Sequence, residues 1–303
     1  MKTVLIAGGT GLIGSRLSEI LQEKGYQVEH LSRKADPNAE FPAFAWDVEK
    51  GTIDEAAVRR ADVVINLAGA GIAEGRWTTQ RKKIIIESRT ESARLLLKTF
   101  QKTGKNPDVY LSSAAMGYYG NRGDQLLHET DEPGTGFLAE SCVEWEKAIH
   151  EVAAAGIRTV ALRIGVVLSA KGGALEKMLI PLQFFVATYF GNGRQWYSWI
   201  HVDDVCRLFL YAIENEQLQG FYNTVAPNPE PNLNFTKTLA NASGKPALVL
   251  PVPAFLLRLI FGEMADTILS STRVSSEKVE EAGFAFQFPQ LKEAFKEILK
   301  RVV

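Results

Sequence analysis

What most constrains this chain is a short apolar run that feeds directly into glycines spaced three apart. Residues 2–7 read Lys-Thr-Val-Leu-Ile-Ala and continue into Gly8-Gly9-Thr10-Gly11-Leu12-Ile13-Gly14. The run is too short for a helix and suits a strand buried on both faces of a parallel sheet. Helical spacing starts straight after Gly14. Glycines at the first, fourth and seventh positions of a strand-to-helix junction have distinct uses: Gly8 permits the tight turn, Gly11 lets a ligand's diphosphate approach the backbone, and Gly14 lets the helix pack closely. The unpaired N–H groups and positive end of the helix then face the phosphates, with Thr10, Leu12 and Ile13 in the same cradle. This is a dinucleotide-binding βαβ start.

The rest of the chain extends that unit. Strand-like runs at 27–31, 43–47, 63–68, 109–113 and 159–164 alternate with helical patterns, including a long one over 78–103 and another over 138–155. Such alternation implies right-handed crossovers and a mostly parallel sheet. The expected fold class is α/β: a Rossmann-type doubly wound parallel sheet with a smaller, discontinuous C-terminal cap on the substrate side. Composition shifts after Leu168 and again at the prolines 227, 229 and 231. The main domain is therefore expected over 1–168 and 198–226, and the cap over 169–197 and 227–303.

Charge and cysteine content narrow the partners. With 34 Lys+Arg against 35 Asp+Glu and no long run of one sign, the chain has no electrostatic footprint for nucleic acid or an acidic membrane. A small molecule is the expected partner, and oligomeric state is not set by these residues. Cys142 and Cys206 are far apart and belong to no metal-binding spacing, which points to a reducing, cytoplasmic compartment and to no metal site. No window approaches the roughly 20 apolar residues of a membrane-spanning helix.

The second strand ends in Leu31-Ser32-Arg33-Lys34. An NAD site commonly carries an acid there to accept from the ribose 2′-hydroxyl. Arg33 instead pairs with a 2′-phosphate and Ser32 donates a hydroxyl to it, so the expected cofactor is NADP(H). The plainer reading leaves Arg33 and Lys34 as a solvated loop.

The chain resembles the short-chain dehydrogenase/reductase superfamily in its extended form. More narrowly, it resembles an atypical epimerase-like branch, on the ordered set Gly8–Gly14, Asn66-Leu67-Ala68-Gly69, Ser88-Arg89, Gly117-Tyr118-Tyr119-Gly120, Trp145-Glu146, Leu162-Arg163-Ile164-Gly165 and Trp199-Ile200-His201-Val202-Asp203-Asp204. The branch's C-terminal segment is matched by Pro251-Val252-Pro253, Gly262-Glu263-Met264-Ala265 and Gly283-Phe284. The resemblance implies that Asp47 contacts the adenine amino group, that the backbone of Leu67, Ala68 and Gly69 passes the adenine ribose, and that Arg163 lies near the nicotinamide. Asp47 as a turn cap and Arg163 as a buried ion-pair partner stay open beside those roles.

The resemblance also implies an NADP-dependent oxidoreductase or epimerase-type enzyme acting on a small polar metabolite, or a non-catalytic NADP(H)-binding sensor or partner-binding protein. Active members use a Ser/Thr, a Tyr and a Lys four residues after the Tyr. With the helix anchored on Glu146, Leu138 stands at the Tyr position and Cys142 at the Lys position; a shift by one gives Phe137 and Ser141. Neither register restores the pair. The candidates left for proton handling are Ser113 at a strand end, Tyr118 or its neighbour Tyr119, Glu140 on the helix that normally carries the Tyr, and His201, which the superfamily uses in similar runs to fix the cap. Trp77, Tyr189, Phe190, Trp196, Tyr197 and Trp199 are candidates for an aromatic wall, about half of them as core filler, with Arg81, Arg194 and Gln195 as polar handles.

Overall fold

The computed structural model describes residues 1–300. Its main domain contains β1 (Thr3–Ala7), α1 (Leu12–Glu23), β2 (Gln27–Ser32), β3 (Ala43–Asp47), β4 (Thr52–Ile53), α2 (Glu55–Arg60), β5 (Val63–Asn66), α3 (Thr79–Thr103), β6 (Val109–Ala115), α4 (Phe137–Ala154), β7 (Thr159–Ile164), α5 (Val202–Glu214) and β8 (Gly220–Thr224). These strands form one sheet in the order β8-β7-β6-β5-β1-β2-β3-β4. All neighbours run parallel except β3 and β4. The Rossmann-type expectation holds.

All five residues of β1 are buried. Val4 and Ile6 join one core with Leu17 of α1 and Phe209 of α5. Leu5 and Ala7 join the opposite core with Leu96 and Phe100 of α3. Period-two alternation in a strand covered on both faces explains why β1 reads as an unbroken apolar run. β1 pairs with β2 on one side and with β5 on the other. The strand order reverses at that point, which opens a crevice at the strands' carboxyl ends where open α/β sheets take ligands.

Two strand boundaries differ from expectation. β5 ends at Asn66: Leu67 N–H still donates to Ala7 C=O at 2.9 Å, but the Leu67 carbonyl already packs against the Gly8 turn. β6 continues to Ala115, pairing Ala114 with Arg163 and Ala115 with Ile164, so Ser113 sits inside the strand rather than at its end. The turn Met116–Tyr119 follows as one 3-10 turn.

A third apolar cluster unites Leu168, Leu175, Leu182, Tyr197, Trp199, Phe235, Leu239, Leu291, Phe295 and Ile298. It is the core of the cap, built on helices Ala174–Leu182, Asn232–Ala242 and Leu291–Lys300 and on a parallel pair of strands, Val186–Phe190 and Leu248–Val252. The last segment does not stay wholly on that side. Val279 and Phe284 pack into the main-domain core, and Arg273–Val274 pairs with Leu126–Leu127 of the main domain.

Candidate functional site

The glycine turn is built by close contact. Gly8 has φ +82°, and a Cβ there would lie 2.9 Å from the Leu67 carbonyl. The turn closes with Gly11 N–H donating to Gly8 C=O at 3.1 Å. At Gly14 a Cβ would stand 2.3 Å from Gly8 O and 2.7 Å from Gly9 Cα. Close packing at Gly14 is therefore against the turn itself. Gly11 is the N-cap of α1, carries no side-chain cap, and no acidic residue occupies the first turn. The first intrahelical bond comes from Ser15 N–H to Gly11 C=O, which leaves the N–H groups of Leu12, Ile13 and Gly14 for an anion.

One residue of this cradle escaped sequence reasoning. His30 of β2 is buried beneath Gly9, whose Cβ would meet the imidazole at 2.4 Å. Its Nε2 lies 2.8 Å from Ser18 Oγ, and that hydroxyl donates to Gly14 C=O at 2.8 Å. Ser18 Oγ thus stands between the imidazole and Gly14 C=O and ties β2 to the glycine turn. Burial lowers the pKa of His30. A polar residue in a strand otherwise buried on both faces, opposite a Gly-Gly pair, was the available signal.

At the end of β2, Ser32 Oγ accepts from Lys34 N–H at 3.4 Å and Arg33 is exposed. Asp47 at the end of β3 accepts from Lys50 N–H at 3.0 Å and pairs with its ammonium at 2.9 Å; Lys50 holds its carboxyl below the usual range. The turn-cap geometry is thus present at Asp47. After β5, Asn66 Oδ1 accepts from Ala68 N–H at 3.2 Å while its Nδ2 donates to Ser92 Oγ and Tyr110 OH, each at 3.0 Å. Ser88 Oγ accepts from Ala70 N–H at 2.9 Å. These bonds fix the path of Leu67, Ala68 and Gly69 past the glycine turn.

The proton-handling candidates are scattered. Ser113 Oγ donates to Asn66 C=O at 3.3 Å. Tyr119 is fully buried, donates to Asn223 Oδ1 at 2.6 Å and accepts from Arg163 Nη1 at 2.8 Å; burial pushes its phenol to about 12. Tyr118 is half-buried, with Arg163 Cζ 3.9 Å from its ring centroid. Burial raises its pKa against the opposing pull of Arg163. Glu140 stands on the exposed face of α4.

Arg163 and His201 are both buried against carboxylates. Arg163 is buried, and its Nε and Nη2 bind the two oxygens of Glu146 at 2.8 Å each, with Nη1 also reaching Glu129 C=O at 3.2 Å. Its guanidinium anchors β7 to α4, the buried ion-pair role left open for it in the sequence. His201 is likewise wholly buried: it caps α5 by accepting from Asp203 N–H at 3.1 Å, and its Nε2 is 2.8 Å from Glu297 Oε2. It joins the cap's last helix to the main domain, the cap-fixing role that the sequence run suggested. On α4, the side toward the end of β6 is apolar, since a Cβ on Gly117 would lie 3.5 Å from Cys142 Sγ and 3.8 Å from Leu138. Burial pushes the Cys142 thiol up to about 12.

Of the aromatic candidates, Tyr197 and Trp199 are cap core, and Gln195 is buried with its amide on Phe190 C=O at 3.1 Å. Trp77 packs edge-on to Phe137 at 4.9 Å. Trp196 donates to Asp124 Oδ1 at 2.9 Å. Tyr189 and Phe190 are partly exposed, and Arg194 is exposed.

Sheet order, glycine turn and uncapped helix start define a dinucleotide-binding protein of the short-chain dehydrogenase/reductase type. The family description "NAD dependent epimerase/dehydratase family" matches residues 4–224, and a domain of unknown function, DUF1731, matches residues 252–298. The chain belongs to the NAD dependent epimerase/dehydratase family. It is 34% identical over 306 residues to an epimerase family protein of Staphylococcus aureus (strain MRSA252), spanning 99% of this chain and 100% of that one. It is 35% identical over 292 residues to one of Mycobacterium leprae (strain TN), spanning 96% and 94%. Among solved structures, the human epimerase family protein SDR39U1 (isoform 2) with NADPH matches with a TM-score of 0.88 at 30% identity, over 98% of this chain and 99% of that one. No helix among the described residues is long and apolar enough to cross a membrane.

Proposed function

We propose that this protein binds NADP(H) and uses it as a reductase or epimerase-type enzyme on a small polar metabolite, with the proton managed outside a Tyr/Lys pair. The observation that carries this reading is the turn in which Gly8, Gly9 and Gly14 each exclude a Cβ, beneath an uncapped helix start. The residues fit the cofactor. The N–H groups of Leu12 and Ile13 would hold the diphosphate, Arg33 with Ser32 the 2′-phosphate, and Asp47 with Leu67–Gly69 the adenosine end. When bound, the nicotinamide supplies hydride transfer.

Tyr118 is the group best suited to the proton. It lies on the turn after β6, at the carboxyl edge of the sheet, and is half-buried. Burial raises its pKa, so the phenol is protonated at neutral pH and is placed to donate a hydrogen bond or a proton to a carbonyl oxygen in the reductive direction. The fully bonded Tyr119 and the buried His201 are unsuited. The apolar side of α4 at Leu138 and Cys142 favours a second reading, a cofactor-binding sensor without catalysis. Mixing the protein and NADP(H) with a panel of carbonyl compounds and sugar derivatives, followed by nicotinamide absorbance and by product analysis, separates the two: the first reading predicts net hydride transfer or redox-neutral isomerisation with at least one compound, and uniform inertness in both readouts with tight NADPH binding supports the second.

A further inference from the structure

Helix α3 lays two guanidiniums along the loop that follows β5. Arg89 Nη2 donates to Ala70 C=O at 3.0 Å, and Arg81 Nη2 donates to the next carbonyl, that of Gly71. Arg89 Nη1 donates to Ile85 C=O of its own helix at 2.8 Å. Among the described residues no carboxylate pairs with it. A guanidinium has five N–H donors, and a sheltered cation normally requires an anion. Burial and the charge of Arg81 both pull the Arg89 pKa down. Arg81 does have an acid, Glu74, but that side chain is 72% exposed.

The neighbourhood holds donors in excess. The Nε of Arg81 and the Nε1 of Trp145 are buried without an acceptor among the described residues, although buried donors are nearly always satisfied. The Trp145 ring centroid lies 5.1 Å from Arg89 Cζ. The nearby Cys142 thiol, its pKa raised, brings no negative charge. The same loop and the start of α3 reach the C-terminal cap segment, with Arg76 Nη2 on Leu259 C=O at 3.0 Å and Lys82 bonded to Glu263 at 2.7 Å. It therefore lies where the main domain meets the cap.

We propose that Arg89, supported by Arg81 and Trp145, forms an oxyanion subsite that takes a carboxylate or phosphate group of the substrate. This rests on the reading that the space between main domain and cap holds the substrate, and it narrows that substrate to an anionic metabolite. The cofactor's own diphosphate has the same chemistry and is separated from it by the experiment below.

The test is the thermal midpoint of the whole protein in sodium phosphate or sodium malonate, against sodium chloride at matched ionic strength, with and without saturating NADP. Both oxyanions should raise the wild-type midpoint beyond chloride, and the rise should persist under NADP. Trp145→Phe keeps an aromatic ring but removes the indole N–H, and should need several-fold more phosphate for the same rise. Arg89→Met should abolish the rise; if that variant does not fold, Arg89→Lys keeps the charge without the fork, and should bind roughly tenfold more weakly. Equal rises in the wild type and the Arg89 variants, or none beyond chloride, overturn the subsite. A rise that disappears under NADP overturns its assignment to substrate and gives it to the cofactor. NADPH titrations of the same proteins report the cofactor reading separately.

Discussion

The guanidinium of Arg163 and the carboxylate of Glu146 form a two-point ion pair in which the side chains are 5% and 6% exposed. The pair ties β7 to α4, and Tyr119 and Asn223 extend it into a buried network. Removing water from both charges costs much of what their attraction returns, but removing one partner leaves the other buried and alone. Glu146→Ala should therefore destabilise the fold by about 3–5 kcal/mol, read as a lower urea midpoint with an unchanged slope. The double change to Met at both positions should cost clearly less than the single one; a single-variant loss under ~1 kcal/mol would place the pair among ordinary surface bridges.

The two adjacent tyrosines should separate cleanly. Tyr119→Phe leaves Asn223 Oδ1 and one Arg163 N–H without their partner and should cost about 1–3 kcal/mol of stability. Tyr118→Phe should leave the urea midpoint nearly unchanged and lower turnover of any substrate that the carbonyl panel identifies. The reverse assignment of effects would contradict the roles given to the pair.

Gly14→Ala puts two effects in opposition. In an ordinary helix the change gains about 0.5–1 kcal/mol. Here the new methyl would stand 2.3 Å from Gly8 O, and backbone has to move. Overpacking of this kind costs about 1–3 kcal/mol, so the sign reverses: the variant should be less stable and should bind NADPH at least tenfold more weakly, since the displaced turn is the phosphate cradle. A variant as stable and as tight as wild type would show that the turn yields freely.

His30 gives the protein a pH dependence of predictable sign. Its folded-state pKa is lowered by burial, whereas in the unfolded chain it lies near 6.5. Between those two values the unfolded state binds the extra proton, so this contribution is full above ~6.5 and is lost as the pH falls toward the folded-state pKa. His30→Gln should flatten that part of the profile in urea titrations between pH 7.5 and 5. A wild-type profile that rises on acidification would contradict the burial of a neutral imidazole.

How legible the molecule was depends on the range of each contact. β1, the glycine turn and α1 were readable because the strand is covered on both faces and the glycines act on neighbours a few residues away. Thr78 was readable as the start of α3, and it caps that helix by accepting from Arg81 N–H. The buried roles of Arg163 and His201 were open in the sequence, but their partners were not readable, because Glu146 lies on another element and Glu297 follows His201 by 96 positions. Ser113 misled because Ala114 and Ala115, which look like loop, still pair with β7. Packing of Val279 and Phe284 on the main domain was hidden for the same reason: local composition does not say which core an apolar residue joins.

The central claim is that this turn and the end of β2 bind NADP(H) in preference to NAD(H). Reduced-nicotinamide fluorescence titrations of the wild type and Arg33→Ala, with NADPH and with NADH, test it most directly. Wild type should bind NADPH at least roughly tenfold more tightly than NADH, and Arg33→Ala should lose most of that margin through NADPH alone. Equal affinities in the wild type, or a margin untouched by Arg33→Ala, would contradict it.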